Sequence, residues 1–132
     1  MFVAVKRATL LYITGNKVST TKHFYILLTD PFGPAKQVAM ACVCSVRDGC
    51  DTTCLLKVGD HPFIEHPSYV AYNLSRIERS DALINGVAKG LFVDKGMLDE
   101  GVFQRVLAGV TKSNFTRPFI VDFLAECNKP RI

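Results

Sequence analysis

Two short runs that are apolar on both sides set the strongest constraint on how this chain folds. His23 to Thr29 (HFYILLT) is almost continuously apolar, too short for a typical helix, and closed by Asp30-Pro31-Phe32-Gly33-Pro34, a dense cluster of turn formers. Lys36 to Val46 (KQVAMACVCSV) then resumes, with Val38, Met40, Cys42 and Cys44 on one face of a strand and Ala39, Ala41 and Val43 on the other. A strand with two apolar faces must be covered on both, so each run is expected in the middle of a sheet.

The flanking segments extend this pattern. Phe2 to Ile13 is rich in β-branched and aromatic residues and reads as the first strand, ending in a turn at Thr14-Gly15-Asn16-Lys17 before Val18. Thr52 to Val58 reads as a short strand broken by Gly59-Asp60-His61-Pro62. Ser68 to Tyr72 is strand-like again, and Arg76-Ile77-Glu78 continues it after a bend. From Ser80 onward helices are expected to dominate. Ser80 offers an N-cap for a helix over Asp81 to Lys89, with Gly90 as its stop. Val102, Phe103, Val106, Leu107 and Val110 recur at helical spacing within Asp99 to Thr111, and Arg117-Pro118 opens a last helix from Phe119 to Cys127. Early strands followed by late helices predict an α+β fold, an antiparallel β-barrel or curled sheet covered by C-terminal helices. The barrel is expected over about residues 1–79 and the helical part over about 80–127 of a single domain spanning 1–132.

Composition narrows the class. With 48% hydrophobic and 21% charged residues the chain has the make-up of a soluble globular domain, and no apolar run approaches the roughly 18–20 residues that span a bilayer. No membrane partner is therefore expected. The opening MFVAVKRATLLYITGN lacks the basic, apolar, small-residue order of a signal peptide, and an odd count of five cysteines suits reduced thiols better than a disulfide framework. Both point to the cytoplasm. A net charge of +4 allows a polyanionic partner, and Lys6, Arg7, Lys17, Lys22, Lys36, Arg47 and Lys57 place a nucleic-acid surface, if there is one, in the first half.

Chemistry is concentrated between Asp51 and Glu78 (DTTCLLKVGDHPFIEHPSYVAYNLSRIE), which holds two of the three histidines and two of the four tyrosines. His61 and His66 flank Pro62 and Pro67 and could trade a proton in phosphodiester cleavage, histidine being the side chain that titrates near neutrality. The plainer alternative is an exposed loop whose shape the prolines fix. Cys42, Cys44, Cys50 and Cys54 lack the paired knuckle spacing of a structural zinc site and read as small buried hydrophobes, so neither metal nor cofactor is expected. Tyr69 and Tyr72 with Arg76 combine aromatic faces and a guanidinium, a set suited to single-stranded RNA, although a half-buried strand explains the tyrosines as well. Ser45, Arg47, Thr52 and Thr53 line the turn before this stretch and offer phosphate contacts. P-loop, G-x-S-x-G and H-E-x-x-H signatures do not occur.

The order of HFYILLT, a second strand ending in Cys44-Ser45-Val46, and then SYVAYNLSRIE resembles the PemK/MazF-like toxins. Val43-Cys44-Ser45 corresponds to that family's Pro-hydrophobic-Thr/Ser element, and Arg76 falls on its later arginine. Asn73 stands where the family has an acidic residue and Leu74 where it has glutamine. The phrase GDHPFIEHPSYV resembles one in uncharacterised PemK-like proteins, which implies a divergent subgroup. The resemblance implies a small SH3-like antiparallel β-barrel with C-terminal helices and a metal-independent endoribonuclease acting on single-stranded RNA. It further implies a cognate antitoxin protein as partner, with a homodimer left open. In that scheme Arg76 stabilises developing charge and His61 or His66 replaces the missing carboxylate. Ser45, Arg47, Thr53, Tyr69, Tyr72 and Asn73 contact RNA. The alternative is a non-catalytic SH3-like module that binds a protein segment or RNA through Tyr69, Tyr72 and Phe63.

Overall fold

A computed structural model describes residues 1–15 and 20–130. Six strands and three helices follow in the order β1 (Ala8–Gly15), β2 (Thr20–Leu27), β3 (Gln37–Ser45), β4 (Leu55–Leu56), β5 (Ser68–Arg79), α1 (Ser80–Ala88), β6 (Phe92–Met97), α2 (Glu100–Lys112) and α3 (Pro118–Cys127). The strands form one antiparallel sheet in the order β4-β5-β3-β2-β1-β6, curled into a half-barrel. The expected α+β class, with an antiparallel curled sheet and helices, is what the chain adopts. The two doubly apolar runs are central strands, as their composition requires. The turn expected at Asn16 and Lys17 lies outside the described residues.

Strand alternation splits the core in two. Ala39, Ala41 and Val43 of β3 face a cluster with Leu11, Phe24, Ile26, Val70 and Tyr72, roofed by Val102, Phe103, Val106 and Val110 of α2 and Ile120 and Leu124 of α3. Val38, Met40, Cys42 and Cys44 face a second cluster with Leu10, Tyr25 and Leu27, covered by Leu83 of α1 and by Phe2 and Ala4 of the N-terminal segment. Each large side chain fully buried in this way contributes roughly 1.5–3 kcal/mol over its exposed state.

Several local expectations are corrected. The first strand begins at Ala8 rather than Phe2, because Arg7 takes a left-handed backbone (φ 76°). That conformation is held by Arg7 N–H to the Leu27 carbonyl (2.9 Å), Leu98 N–H to the Arg7 carbonyl (2.7 Å) and the guanidinium Nε to the Leu98 carbonyl (2.9 Å). The strand expected over Thr52–Val58 shrinks to Leu55–Leu56. Ser80 is the first residue of α1 and not its cap; its N–H is bonded to the Lys36 carbonyl. Strand β6 was not expected at all. Its sequence, FVDKGM, carries Asp94, Lys95 and Gly96 and shows neither apolar alternation nor a fully buried residue, which is how short edge strands avoid pairing with other chains.

Strand β5 carries the sharpest departure from regular pairing. Ala71 opposes Cys42 and Arg76 opposes Met40, so Tyr72 to Ser75 bulge out against the single residue Ala41. The expected bend is this bulge; Tyr72, at its start, shares the face of Val70 and reaches the helical roof, where its hydroxyl donates to the Val106 carbonyl (2.6 Å).

Candidate functional site

Two side chains tie down the segment between β4 and β5, Asp60 to helix α2 and His61 to the sheet. Asp60 accepts the Lys57 N–H (2.9 Å) and pairs with Arg105 of α2 (3.1 Å), its own side chain only 9% exposed. His61 is 4% exposed. Its Nδ1 accepts the Phe63 N–H (2.9 Å), which fixes the proton on Nε2, and Nε2 then donates to the Lys95 carbonyl (3.0 Å). Thr9 Oγ1 donates to the Gly96 carbonyl (2.8 Å) and lies 3.2 Å from the same Nε2, within reach as a second acceptor. Burial and the neighbouring Lys95 charge push the His61 imidazole below its ordinary value, against the opposing pull of the Lys95 carbonyl. With both nitrogens engaged and water excluded, His61 is a neutral anchor and has no free edge for acid-base work.

That anchor places Phe63 flat against Phe24, with centroids 4.9 Å apart and planes 19° off parallel, and Lys95 Nζ 5.4 Å from the Phe63 centroid. The segment then delivers His66 to the end of β3. Ser45 Oγ and His66 Nε2 are 2.7 Å apart, both residues exposed. They stand at a cavity of about 380 Å³ whose lining includes Phe24, Val43, Phe63, Ile64 and Glu65. A hydroxyl and an imidazole in hydrogen-bond contact over an apolar floor can hold an oxygen and move a proton.

The other expected site residues separate into different places. Arg76 opposes Met40 and lies over the Tyr25 ring (5.9 Å), on the face of the second cluster, and is ion-paired with Glu78. Ser45 shares the opposite face with Val43, and the two positions are about 17 Å apart along the strand direction. Arg76 therefore does not meet either histidine. Tyr69 (4% exposed) and Tyr72 (0%) are core side chains, so neither presents a ring for a base to stack on. Thr53 gives its hydroxyl to Asp51 (2.5 Å), which also accepts from Ser113 at the end of α2 (2.5 Å). Burial works against the Asp51 charge, but these bonds outweigh it and hold the carboxyl below its usual range. Thr53 thus serves a loop tie. Arg47 and Asn73 do come together, lining a smaller cavity of about 150 Å³ with Tyr69 and Phe115.

Residues that sequence patterning leaves unmarked complete the site. Thr9 and Lys95 hold His61 from two strands that are distant in sequence, Gly96 accepts the Thr9 hydroxyl, and Phe24 forms the floor. The four early cysteines are divided, with Cys54 in the first cluster, Cys42 and Cys44 on the opposite face, and Cys50 half-buried beside the Arg47–Asn73 cavity. No group of three or more His, Cys, Asp or Glu among the described residues is arranged to hold a metal ion, and no described helix is long and apolar enough to cross a membrane. Neither a protein-family model, a curated protein nor a solved structure matches this chain.

Proposed function

We propose that this chain is a metal-independent endoribonuclease of the PemK/MazF-like kind, acting on single-stranded RNA and held in check by an antitoxin protein. In this proposal the curled sheet is a small SH3-like barrel left open at one side. The Ser45–His66 contact at the mouth of a cavity is the observation that carries this reading. In the reaction, His66 takes the proton from a ribose 2′-hydroxyl, and Ser45 donates to a non-bridging phosphate oxygen. The 2′-oxygen attacks phosphorus, the bond to the 5′-oxygen breaks, and water gives a proton to the leaving 5′-oxygen. Lys22 on the cavity wall and Lys95 above Phe63 supply positive charge for the phosphate. Asn73 leaves the family's acidic position without a base, and His66 fills that role. Arg76 and His61 do not belong to this set.

The test is cleavage of a single-stranded RNA by the purified chain in the presence of a chelator. His66→Ala is expected to lose at least about 100-fold in rate and Ser45→Ala to lose activity as well, while Arg76→Ala keeps it. Equal cleavage by wild type and His66→Ala, or no cleavage by wild type, sinks the proposal.

One observation favours the alternative of a non-catalytic binding module. Val46 (46%) and Leu55 (48%) are exposed large hydrophobics beside Lys57 and Arg105 around a cavity of about 630 Å³ at the β4 edge. Partner binding there, with Leu55→Asp abolishing it and no RNA turnover, is the outcome that would favour this reading. Tyr69 and Tyr72 are too deeply buried to form such a surface.

A further inference from the structure

Cys42 and Cys44 stand on one face of β3, two residues apart, with their Sγ atoms 4.0 Å from each other. Their exposures differ: Cys42 is 1% exposed, whereas Cys44 is only half-buried. We propose that the pair is a peroxide-responsive dithiol, a modification site in which Cys44 is oxidised first and Cys42 then closes a disulfide within the strand. The inference is independent of the RNA chemistry assigned to Ser45 and His66.

The surroundings suit the two sulfurs to different roles. Cys44 opposes Tyr69 across the strand pair. A hydrogen bond from Cys42 lowers its thiol to about 6, outweighing the effect of burial, and the Arg47 charge and a bond from the Tyr69 hydroxyl act in the same direction. Cys42 is pushed the other way by the hydrogen bond it gives and by burial, so it holds the proton. Cys54 is buried in the other cluster, where burial raises its thiol and disfavours reaction. Two residues on an extended strand place Cα atoms roughly 6.6 Å apart, at the long end of the span a disulfide bridges. Cys42 and Cys44 are paired with Ala71 and Tyr69 of β5, and Cys42 with Tyr25 of β2, so the ladders hold both sulfurs on one face; the pairing with β5 becomes irregular only before Cys42, between Met40 and Cys42.

The chemistry balances with a hydroperoxide as oxidant. The Cys44 thiolate attacks the terminal peroxide oxygen; the S–O bond forms, the O–O bond breaks, and the departing oxygen takes a proton to leave as water or an alcohol. The Cys42 sulfur then attacks Cys44 Sγ, the S–S bond forms, and the hydroxyl leaves with the Cys42 proton as water. Two electrons pass from the dithiol to the peroxide.

Trypsin releases Gln37 to Arg47 as one peptide carrying both cysteines, which makes the test direct. The full-length reduced chain is treated with a limiting dose of hydrogen peroxide, quenched, alkylated, digested and mapped by mass. The expected product is this peptide, unalkylated and lighter by two hydrogens, formed before oxidation at Cys50, Cys54 or Cys127. With Cys42→Ala, Cys44 is expected to accumulate as a dimedone adduct; with Cys44→Ala, oxidation of Cys42 is lost. Earlier oxidation of any other cysteine overturns the proposal, as does a fully alkylated peptide, or unchanged Cys42 oxidation in Cys44→Ala. The wild-type map alone decides the matter where a variant does not fold.

Discussion

Substituting Gly109 with alanine sets two physical expectations of opposite sign against each other. In the interior of a helix the change from glycine to alanine is worth about 1 kcal/mol of added stability through backbone entropy. In this fold Gly109 lies buried on α2, and the space a Cβ would occupy is filled by the hydroxyl and ring of Tyr72. Tyr72 is 0% exposed and its hydroxyl is bonded to the Val106 carbonyl (2.6 Å), one turn earlier on the same helix. Admitting the methyl group requires the ring to withdraw. Loss of that buried hydrogen bond costs about 1–3 kcal/mol and overpacking about 1–3 kcal/mol more. The net effect is a destabilisation of roughly 1–5 kcal/mol once the helix preference is subtracted. Urea unfolding followed by far-UV circular dichroism measures it, as a lower midpoint at unchanged slope. Tyr72→Phe removes the colliding oxygen, so in the Gly109→Ala background it should cost less than in wild type, by at least about 0.5 kcal/mol. The edge of the ring still stands too close for full rescue. A Gly109→Ala chain as stable as wild type or more so, or strict additivity of the two substitutions, would refute the packing described for this helix.

Two other outcomes follow from the same structure. Because burial lowers the folded-state pKa of His61 below its ordinary 6.5, the unfolded chain takes up a proton that the folded chain refuses. The stability that arises from this difference is complete above pH 6.5, declines as pH falls below it, and levels off beneath the folded pKa; His61→Gln should flatten that decline, and an unchanged dependence of unfolding midpoint on pH would count against a buried neutral His61. Asp99 caps α2 by accepting the Val102 N–H (3.2 Å), so Asp99→Ala should lower stability by about 1 kcal/mol in the same urea assay.

The candidate site shows where pattern reading reaches and where it stops. His66 was legible as one of two histidines beside prolines and Ser45 as a polar residue at the turn after an apolar run, yet their contact spans 21 residues and no spacing rule joins them. His61 had the same local context as His66, a histidine before a proline, and the opposite fate. Thr9, itself bonded to the Gly96 carbonyl, and the Lys95 carbonyl converge on it from β1 and β6, and those strands meet only in the folded sheet. Arg76 was attractive by its position in a sequence phrase, but the bulge at Tyr72–Ser75 and the alternation of β5 set it against Tyr25 on the other face.

By itself the sequence determined the central strands, the helical roof and the two apolar faces of β3, because those depend on local period and on which side chains avoid water. Tertiary structure alone decided the edge strand β6, which face the bend in β5 gives Arg76, the burial of Tyr69, Tyr72 and His61, and the pairing of Ser45 with His66. Each of these depends on which distant backbone or side-chain groups arrive to satisfy a polar atom or fill a space, and long-range pairing leaves no period along the chain to read.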